Sequence, residues 1–386
     1  MEPNDQSRNP EGPPGGGVSS QDTAKVLRML VRTGRVPVTE AILALEAPPP
    51  GDRPWDRVEG MLLGLAIGDS LGNTTEGMLP TRRRECCGEI REYLPNRRAE
   101  GRPAGLPSDD TQLAFWTLEQ LVEDGQLVPA HLAQRFASGR IFGLGSTVGV
   151  FLRRFRDERL PWHEAGTASA GNGALMRIAP ILIPHLRRPS TRLWADAALA
   201  TMITHNDAAA IAASVGFVAL LWDALAMSTP PEPRWWLDRF LEVTEPLEPH
   251  QSCYSPRGGP FAAYAGRFVD FVRDRVTDAW SRDLDVQAAC DEWYSGAFLL
   301  ETVPSVLYVL MRHAGDAEEA LVRAVNDTKD NDTVAAIVGA AVGALHGAAA
   351  LPDRWQRGLL GRTREADDGR VFELIHQAQA RFSCPD

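Results

Sequence analysis

Two short acidic runs hold the residue types best suited to chemistry in this sequence, Ser108-Asp109-Asp110-Thr111 and Asp330-Asn331-Asp332-Thr333. Each stands directly before an apolar-periodic run, Gln112 to Val122 and Val334 to Ala350, so each is expected at a helix N-terminus. Taken alone, either run is most simply a cap, because Ser, Asp, Asn and Thr side chains accept hydrogen bonds from first-turn amides and add about 1 kcal/mol. As a pair they say more. One side chain fills an N-cap, so the remaining carboxylates repel if the two helix starts converge without a cation between them. Asp109, Asp110, Asp330 and Asp332 carry four negative charges, which two divalent ions would balance, and the Ser108 and Thr333 hydroxyls complete an all-oxygen set. Such donors suit Mg²⁺ or Mn²⁺ rather than Zn²⁺, since thiolates and clustered imidazoles are missing.

Other candidates are weaker one by one. Gly171-Asn172-Gly173, expected to open a helix at Ala174, can offer backbone amides to a phosphate, although a plain glycine turn is the simpler reading. Gly143-Leu144-Gly145 has no strand before it and no acidic residue in a second strand after it, which argues against a dinucleotide fold. His205 near a helix end is ordinarily a hydrogen-bonded histidine. Glu301 starts a long apolar helix and can serve its dipole, and Arg177 can equally pair with a surface acid.

The elements that must position these residues read as helices throughout. From Trp55 onward, Val58, Met61, Leu62, Leu65 and Ala66 recur at helical spacing and lead into Gly68-Asp69-Ser70-Leu71-Gly72. Further helices are expected at Ala174 to Ile183, Ala208 to Ala226, Ala297 to His313 and Thr333 to Ala350, among others, whereas Pro230 to Gly259 reads as a long irregular insertion. The uncharged stretch Val334 to Leu351 is too rich in Ala and Gly for a membrane span. Its glycines Gly339, Gly343 and Gly347, four residues apart, instead point to a buried, closely packed helix. Residues 1 to about 20 have the composition of disorder. The expected organisation is an N-terminal extension over 1–52, a catalytic core over 53–352, and a C-terminal tail or helix over 353–386.

With 40 Lys and Arg against 51 Asp and Glu, the net charge of -11 argues against an extended nucleic-acid surface. Only Lys25 and Lys329 are lysines, a bias that hints at a GC-rich bacterial gene. Five scattered cysteines, with Cys86 and Cys87 adjacent, suit a reduced compartment, and the N-terminus lacks a secretory pattern. A cytoplasmic location away from membranes is therefore expected.

The motifs, taken in order, resemble the ADP-ribosylglycohydrolase family. The resemblance runs through Gly60-Met61-Leu62-Leu63-Gly64-Leu65-Ala66-Ile67-Gly68-Asp69-Ser70-Leu71-Gly72, the Ser108 cluster, Ser169-Ala170-Gly171-Asn172-Gly173-Ala174-Leu175-Met176-Arg177, Thr204-His205, Glu301-Thr302-Val303-Pro304 and the Asp330 cluster. It covers about residues 55 to 350. The resemblance implies a compact orthogonal bundle of helices and a binuclear Mg²⁺ or Mn²⁺ centre held by Ser108, Asp109, Asp110, Asp330, Asp332 and Thr333. Asp69 resembles an acid standing behind the metal ligands, and Glu76 falls where many relatives carry an acid near the scissile bond. Gly143, Gly145, Ser146 and Thr147, together with Gly171, Asn172 and Gly173, resemble loops that hold pyrophosphate and ribose, with Met176, Arg177 and His205 nearby. Thr328 and Lys329 replace the usual Gly-Gly, and Asn331 replaces a small residue between the metal acids, so Lys329 can contact the acceptor or alter the loop.

The function this implies is hydrolysis of the bond joining ADP-ribose to an acceptor, most simply a protein side chain, with arginine slightly ahead of serine. Asp110, Asp332 and Glu76 are the candidates for general acid or base. Two other readings stay open: an ADP-ribose-binding module without turnover, and a hydrolase of another conjugate such as O-acyl-ADP-ribose or an ADP-ribosylated nucleobase.

Overall fold

The computed structural model describes residues 22–383. The expected disordered segment, residues 1 to about 20, and Cys384 lie outside the described residues. The helices in chain order are α1 Thr23–Arg32, α2 Trp55–Gly72, α3 Pro80–Cys87, α4 Asp109–Asp124, α5 Pro129–Ala137, α6 Ser146–Leu152, α7 Trp162–Ala165, α8 Arg192–Met202 and α9 Ala208–Ala224. They continue with α10 Trp235–Thr244, α11 Phe268–Ser281, α12 Val286–Glu292, α13 Leu299–His313, α14 Ala317–Asp327, α15 Asn331–His346, α16 Asp353–Gly358 and α17 Arg370–Phe382. Among the described residues β-structure is limited to isolated bridges. The all-helical expectation holds, and no described helix is long and apolar enough to cross a membrane.

The centre of the fold is the antiparallel pair α2 and α15, which approach closely because both carry small residues every fourth position. A Cβ added at Gly64 would stand 2.1 Å from the Gly339 carbonyl oxygen, one at Gly68 2.1 Å from that of Ala335, and one at Gly343 1.9 Å from that of Gly60. Backbone therefore lies on backbone, as small-residue stripes allow. Apolar side chains cover the remaining faces, and α2 and α15 are buried over most of their length. The stripe ends where the chemistry begins. A Cβ at Gly72 would meet the Asp332 Cα at 2.5 Å, so the C-terminal end of α2, carrying Asp69, lies against the N-terminal turn of α15.

Helices α4, α9, α13 and α14 pack around this pair, α8 lies on α9, and α17 lies on α4. Two segments depart from the periodicity. The run Ala174 to Ile183 forms 3₁₀ turns, Leu175–Arg177 and Ala179–His185, instead of one α-helix. Pro180 has no N–H to give and its ring collides with the carbonyl four residues back in an α-helix. The stretch Pro230 to Gly259 is not wholly irregular. After Pro230, Pro231 and Pro233, α10 buries Trp236, Leu237 and Phe240 and packs against α9.

Candidate metal centre and substrate cleft

The N-cap residue of neither acidic run caps its own helix. Ser108 and Asp330 occupy the N-cap positions of α4 and α15 without accepting a side-chain hydrogen bond from the first turn. Asp207 before α9 shows the ordinary alternative, since its carboxylate accepts from the amides of Ala209 and Ala210. The start of α4 is satisfied from elsewhere. Asp69, fully buried on α2, accepts from the Ser108 amide at 2.9 Å, the Thr111 amide at 3.1 Å and the Thr111 hydroxyl at 2.5 Å. With its oxygens spent on α4, Asp69 frees the acids of that first turn to face α15.

The two runs do converge. One carboxylate oxygen from each of Asp69, Asp110 and Asp332 lie within 4.8 Å of one another, and Glu76, Asp330 and Asp332 form a second group of the same size. Asp332 belongs to both. The Ser108 hydroxyl donates to Asp110 Oδ2 at 3.2 Å, while Asp110 Oδ1 is buried without a hydrogen-bond partner. Asn172 donates to Asp330 Oδ2 at 2.6 Å and to the Thr302 hydroxyl at 3.0 Å, tying the glycine loop to α15 and α13.

Burial first, and then repulsion from neighbouring acids, pushes the carboxyls of Asp109, Asp110 and Asp332 well above the usual range, and Asp330 rises to about 6. An orphaned buried oxygen among mutually repelling carboxylates is what an all-oxygen divalent-cation site looks like without its ion. The residues therefore fit such a group.

A pH dependence follows. Folded-state values above the unfolded ones mean that these acids contribute stability at low pH and lose it as pH rises through the folded values. In excess chelator the melting temperature is expected to fall from pH 5 to pH 8, and added Mg²⁺ should recover more at pH 8 than at pH 5, because protons compete for the same oxygens. Differential scanning fluorimetry at both pH values with and without metal checks this. A Mg²⁺ effect equal at the two would contradict it.

Beside the acids lies a cleft of about 150 Å³. Glu76, Asp109, Asp110, Asp330, Asp332 and Thr333 line its acidic side. Gly143, Gly145, Ser146 and Thr147 form one wall, and Gly171, Asn172, Gly173, Met176 and His205 another. The Thr147 and Ser169 hydroxyls, 3.0 Å apart, link the two glycine loops. Ser108 sits behind this lining and touches Asp110. Arg177 is not in it either, nor does it pair with a surface acid. It is buried, stacks on Phe136, and donates to the carbonyl of Ala200 and the hydroxyl of Thr204. Burial and the Arg177 charge push His205 down to about 3, so its imidazole is neutral, with Thr204 Oγ1 at 2.8 Å from Nδ1. The Gly171–Gly173 segment enters a 3₁₀ turn, so no α-helix N-terminus faces the cleft there.

The departures from the family pattern are built into the support. Asn331 donates to Thr75 Oγ1 at 3.0 Å and to the Val325 carbonyl at 3.1 Å, and Thr328 closes α14 on Ala324. Lys329 lies 3.9 Å over the Tyr294 ring and donates to its hydroxyl instead of lining the cleft. Sequence reasoning missed Arg83, a fully buried guanidinium that donates to Thr75 Oγ1 at 3.0 Å and to the carbonyls of Met78 and Thr328 at 2.9 and 2.7 Å. It clamps the Glu76 loop to the turn before Asp330. Also missed were Arg257 and Ala297 in the cleft lining. For Arg257 the Arg-Gly-Gly run offered a hint, inside a stretch read as a long irregular insertion.

Comparison with known proteins agrees with this arrangement. Residues 50–381 match the ADP-ribosylglycohydrolase family. The chain is 28% identical to the ADP-ribosylarginine hydrolase Tri1 of Pseudomonas putida, across 78% of this chain and 73% of that protein. It is 26% identical to the ADP-ribosyl-[dinitrogen reductase] glycohydrolase of Rhodospirillum rubrum, across 78% and 89%. A solved ADP-ribosylglycohydrolase-related protein complex superposes with a TM-score of 0.63 at 27% identity, covering 85% of this chain and 97% of that one. With the family matched along most of its length and the two acidic helix starts brought together by α2 and α15, this chain belongs to the ADP-ribosylglycohydrolase family.

Proposed function

We propose that this enzyme removes ADP-ribose from modified protein side chains, arginine ahead of serine, using two Mg²⁺ or Mn²⁺ ions held by Asp109, Asp110, Asp330 and Asp332 with Ser108 and Thr333. The observation that supports the reading is the convergence of Asp110, Asp330 and Asp332 within two overlapping carboxylate groups that share Asp332. The similarity to an ADP-ribosylarginine hydrolase supports arginine as the first acceptor to test.

Bound divalent cations supply Lewis acidity toward the ribose hydroxyls and lower the pKa of water. The protein's own groups do the rest. The glycine walls let the backbone come close to the sugar and phosphates, and neutral His205 packs against them without adding charge. Asp110 and Asp332, on the acidic side of the cleft, are the acids assigned to stabilising the positive charge of an oxocarbenium-like transition state. Glu76 sits at the rim, its carboxyl raised by partial desolvation in the cleft and by the Asp69 charge, which suits a group that accepts and returns a proton.

The test is a panel of arginine-, serine-, O-acyl- and nucleobase-linked ADP-ribose with Mg²⁺ or Mn²⁺, read as free ADP-ribose by mass spectrometry. Release from the arginine conjugate that stops on chelation is expected. Metal-dependent ADP-ribose binding without release from any of them would instead favour a binding module.

A further inference from the structure

One charge in the cleft has no part in the chemistry so far. Five carboxylates line it, His205 is neutral, and Arg177 and Lys329 are engaged elsewhere, so Arg257 is the one permanently positive side chain in the lining among the described residues. We propose that Arg257 is a diphosphate-binding residue of this site, its guanidinium receiving the phosphate oxygens of ADP-ribose beside the Gly171–Gly173 loop. The inference rests on the hydrolase reading above for the identity of the ligand.

The placement of Arg257 is built, although the residue itself is exposed. Its backbone amide donates to Glu301 Oε1 at 2.5 Å, and the Gly258 amide bonds the same carboxylate. Glu301 is buried on the first turn of α13, so it anchors this loop and does more than complement the helix dipole. Gly258 is needed there because a Cβ would meet the Tyr294 ring at 2.7 Å. The guanidinium then lies 4.6 Å over the ring of Phe298, a cation–π contact that limits its rotamers. Phe298 is in turn bridged to Gly171, and the Ala297 carbonyl accepts from the Asn172 amide at 3.4 Å. The chain of contacts Glu301, Arg257, Phe298, Gly171 thus sets a planar five-donor fork next to the Gly171–Gly173 loop.

The electrostatics ask for such a group. A diphosphate brings two negative charges into a cleft that already holds five acids, and cations at the metal centre are balanced by those acids. A guanidinium stacked on a ring beside the Gly171–Gly173 loop offsets the remaining repulsion and binds phosphate oxygens in pairs.

Calorimetry with free ADP-ribose in Mg²⁺ tests the assignment without turnover. Arg257→Ala is expected to raise the Kd about 10- to 100-fold, the loss of a charge-assisted contact, and Arg257→Lys should recover part of it. Adenosine, measured by competition, should bind both proteins equally, and the affinity of Arg257→Ala for ADP-ribose should fall less steeply with salt. Unchanged ADP-ribose affinity, or an equal loss for adenosine, would overturn the assignment, as would a higher KM for the conjugate with ADP-ribose binding intact, which would move Arg257 to the acceptor side. If the wild type binds no ADP-ribose, the hydrolase reading falls first and takes this one with it.

Discussion

Replacing Asp332 with Asn is expected to lower kcat/KM by about 10³-fold or more while making the metal-free protein more stable at pH 8. Asp332 is the carboxylate common to both groups of convergent acids, so neutralising it removes a donor from each position at once. The loss should exceed that of Glu76→Gln, because Glu76 contributes to one group only and lies at the exposed rim. The gain in stability has a separate cause. Asp332 is buried among Asp110 and Asp330, which raise its carboxyl by repulsion after burial has already done so. An amide of the same shape has no charge to desolvate. Scanning fluorimetry in chelator should therefore rank Asp332→Asn above wild type, and the Mg²⁺-induced rise in melting temperature should largely vanish. A variant that keeps both its turnover and its metal response would remove Asp332, and with it the two-ion reading, from the chemistry.

The same residue shows how far the sequence could be read. Two acidic helix starts are visible as text, and charge repulsion alone makes their convergence a statement about cations. The text does not show that the caps they resemble are unused, because that depends on Asp69 reaching across from α2 to the amides of Ser108 and Thr111. Likewise the glycines of α15 announce close packing, but their partners at Gly60, Gly64, Gly68 and Gly72 are recognised only when both stripes are matched in antiparallel order. Local rules fail where tertiary contacts decide. Arg83 and Arg257 look like ordinary surface arginines, yet one is buried against carbonyls and the other is set by a carboxylate 44 residues away. Asn331 and Thr328 look like damage to a motif and are hydrogen-bonded parts of its support. Pro180 was the readable exception: its effect on the Ala174 to Ile183 helix follows from the ring itself.

Gly64→Ala is expected to destabilise the protein by about 3 kcal/mol or more, a large effect for one methyl group. In an ordinary helix the change from Gly to Ala is favourable by nearly 1 kcal/mol, so intrinsic propensity predicts the opposite sign. The new Cβ, however, would lie 2.1 Å from the Gly339 carbonyl oxygen and 2.7 Å from its carbon. Those atoms belong to the backbone of a buried helix and cannot rotate away as a side-chain tip can. Relief requires α15 to move off α2 along its length, which opens contacts at Gly60–Gly343 and Gly68–Ala335 as well. Gly315→Ala is the control, since nothing lies within 4 Å of a Cβ there, and urea unfolding should place it within about 0.5 kcal/mol of wild type. The Gly64 variant should also lose activity out of proportion to its unfolded fraction. Asp69 and Asp332 are carried by the two helices being forced apart, and Asp69 holds the acids of α4 in place. If the surviving folded fraction hydrolysed substrate at the wild-type rate, the close approach of α2 and α15 would be a packing device alone, with no part in setting the distances between the metal-facing carboxylates.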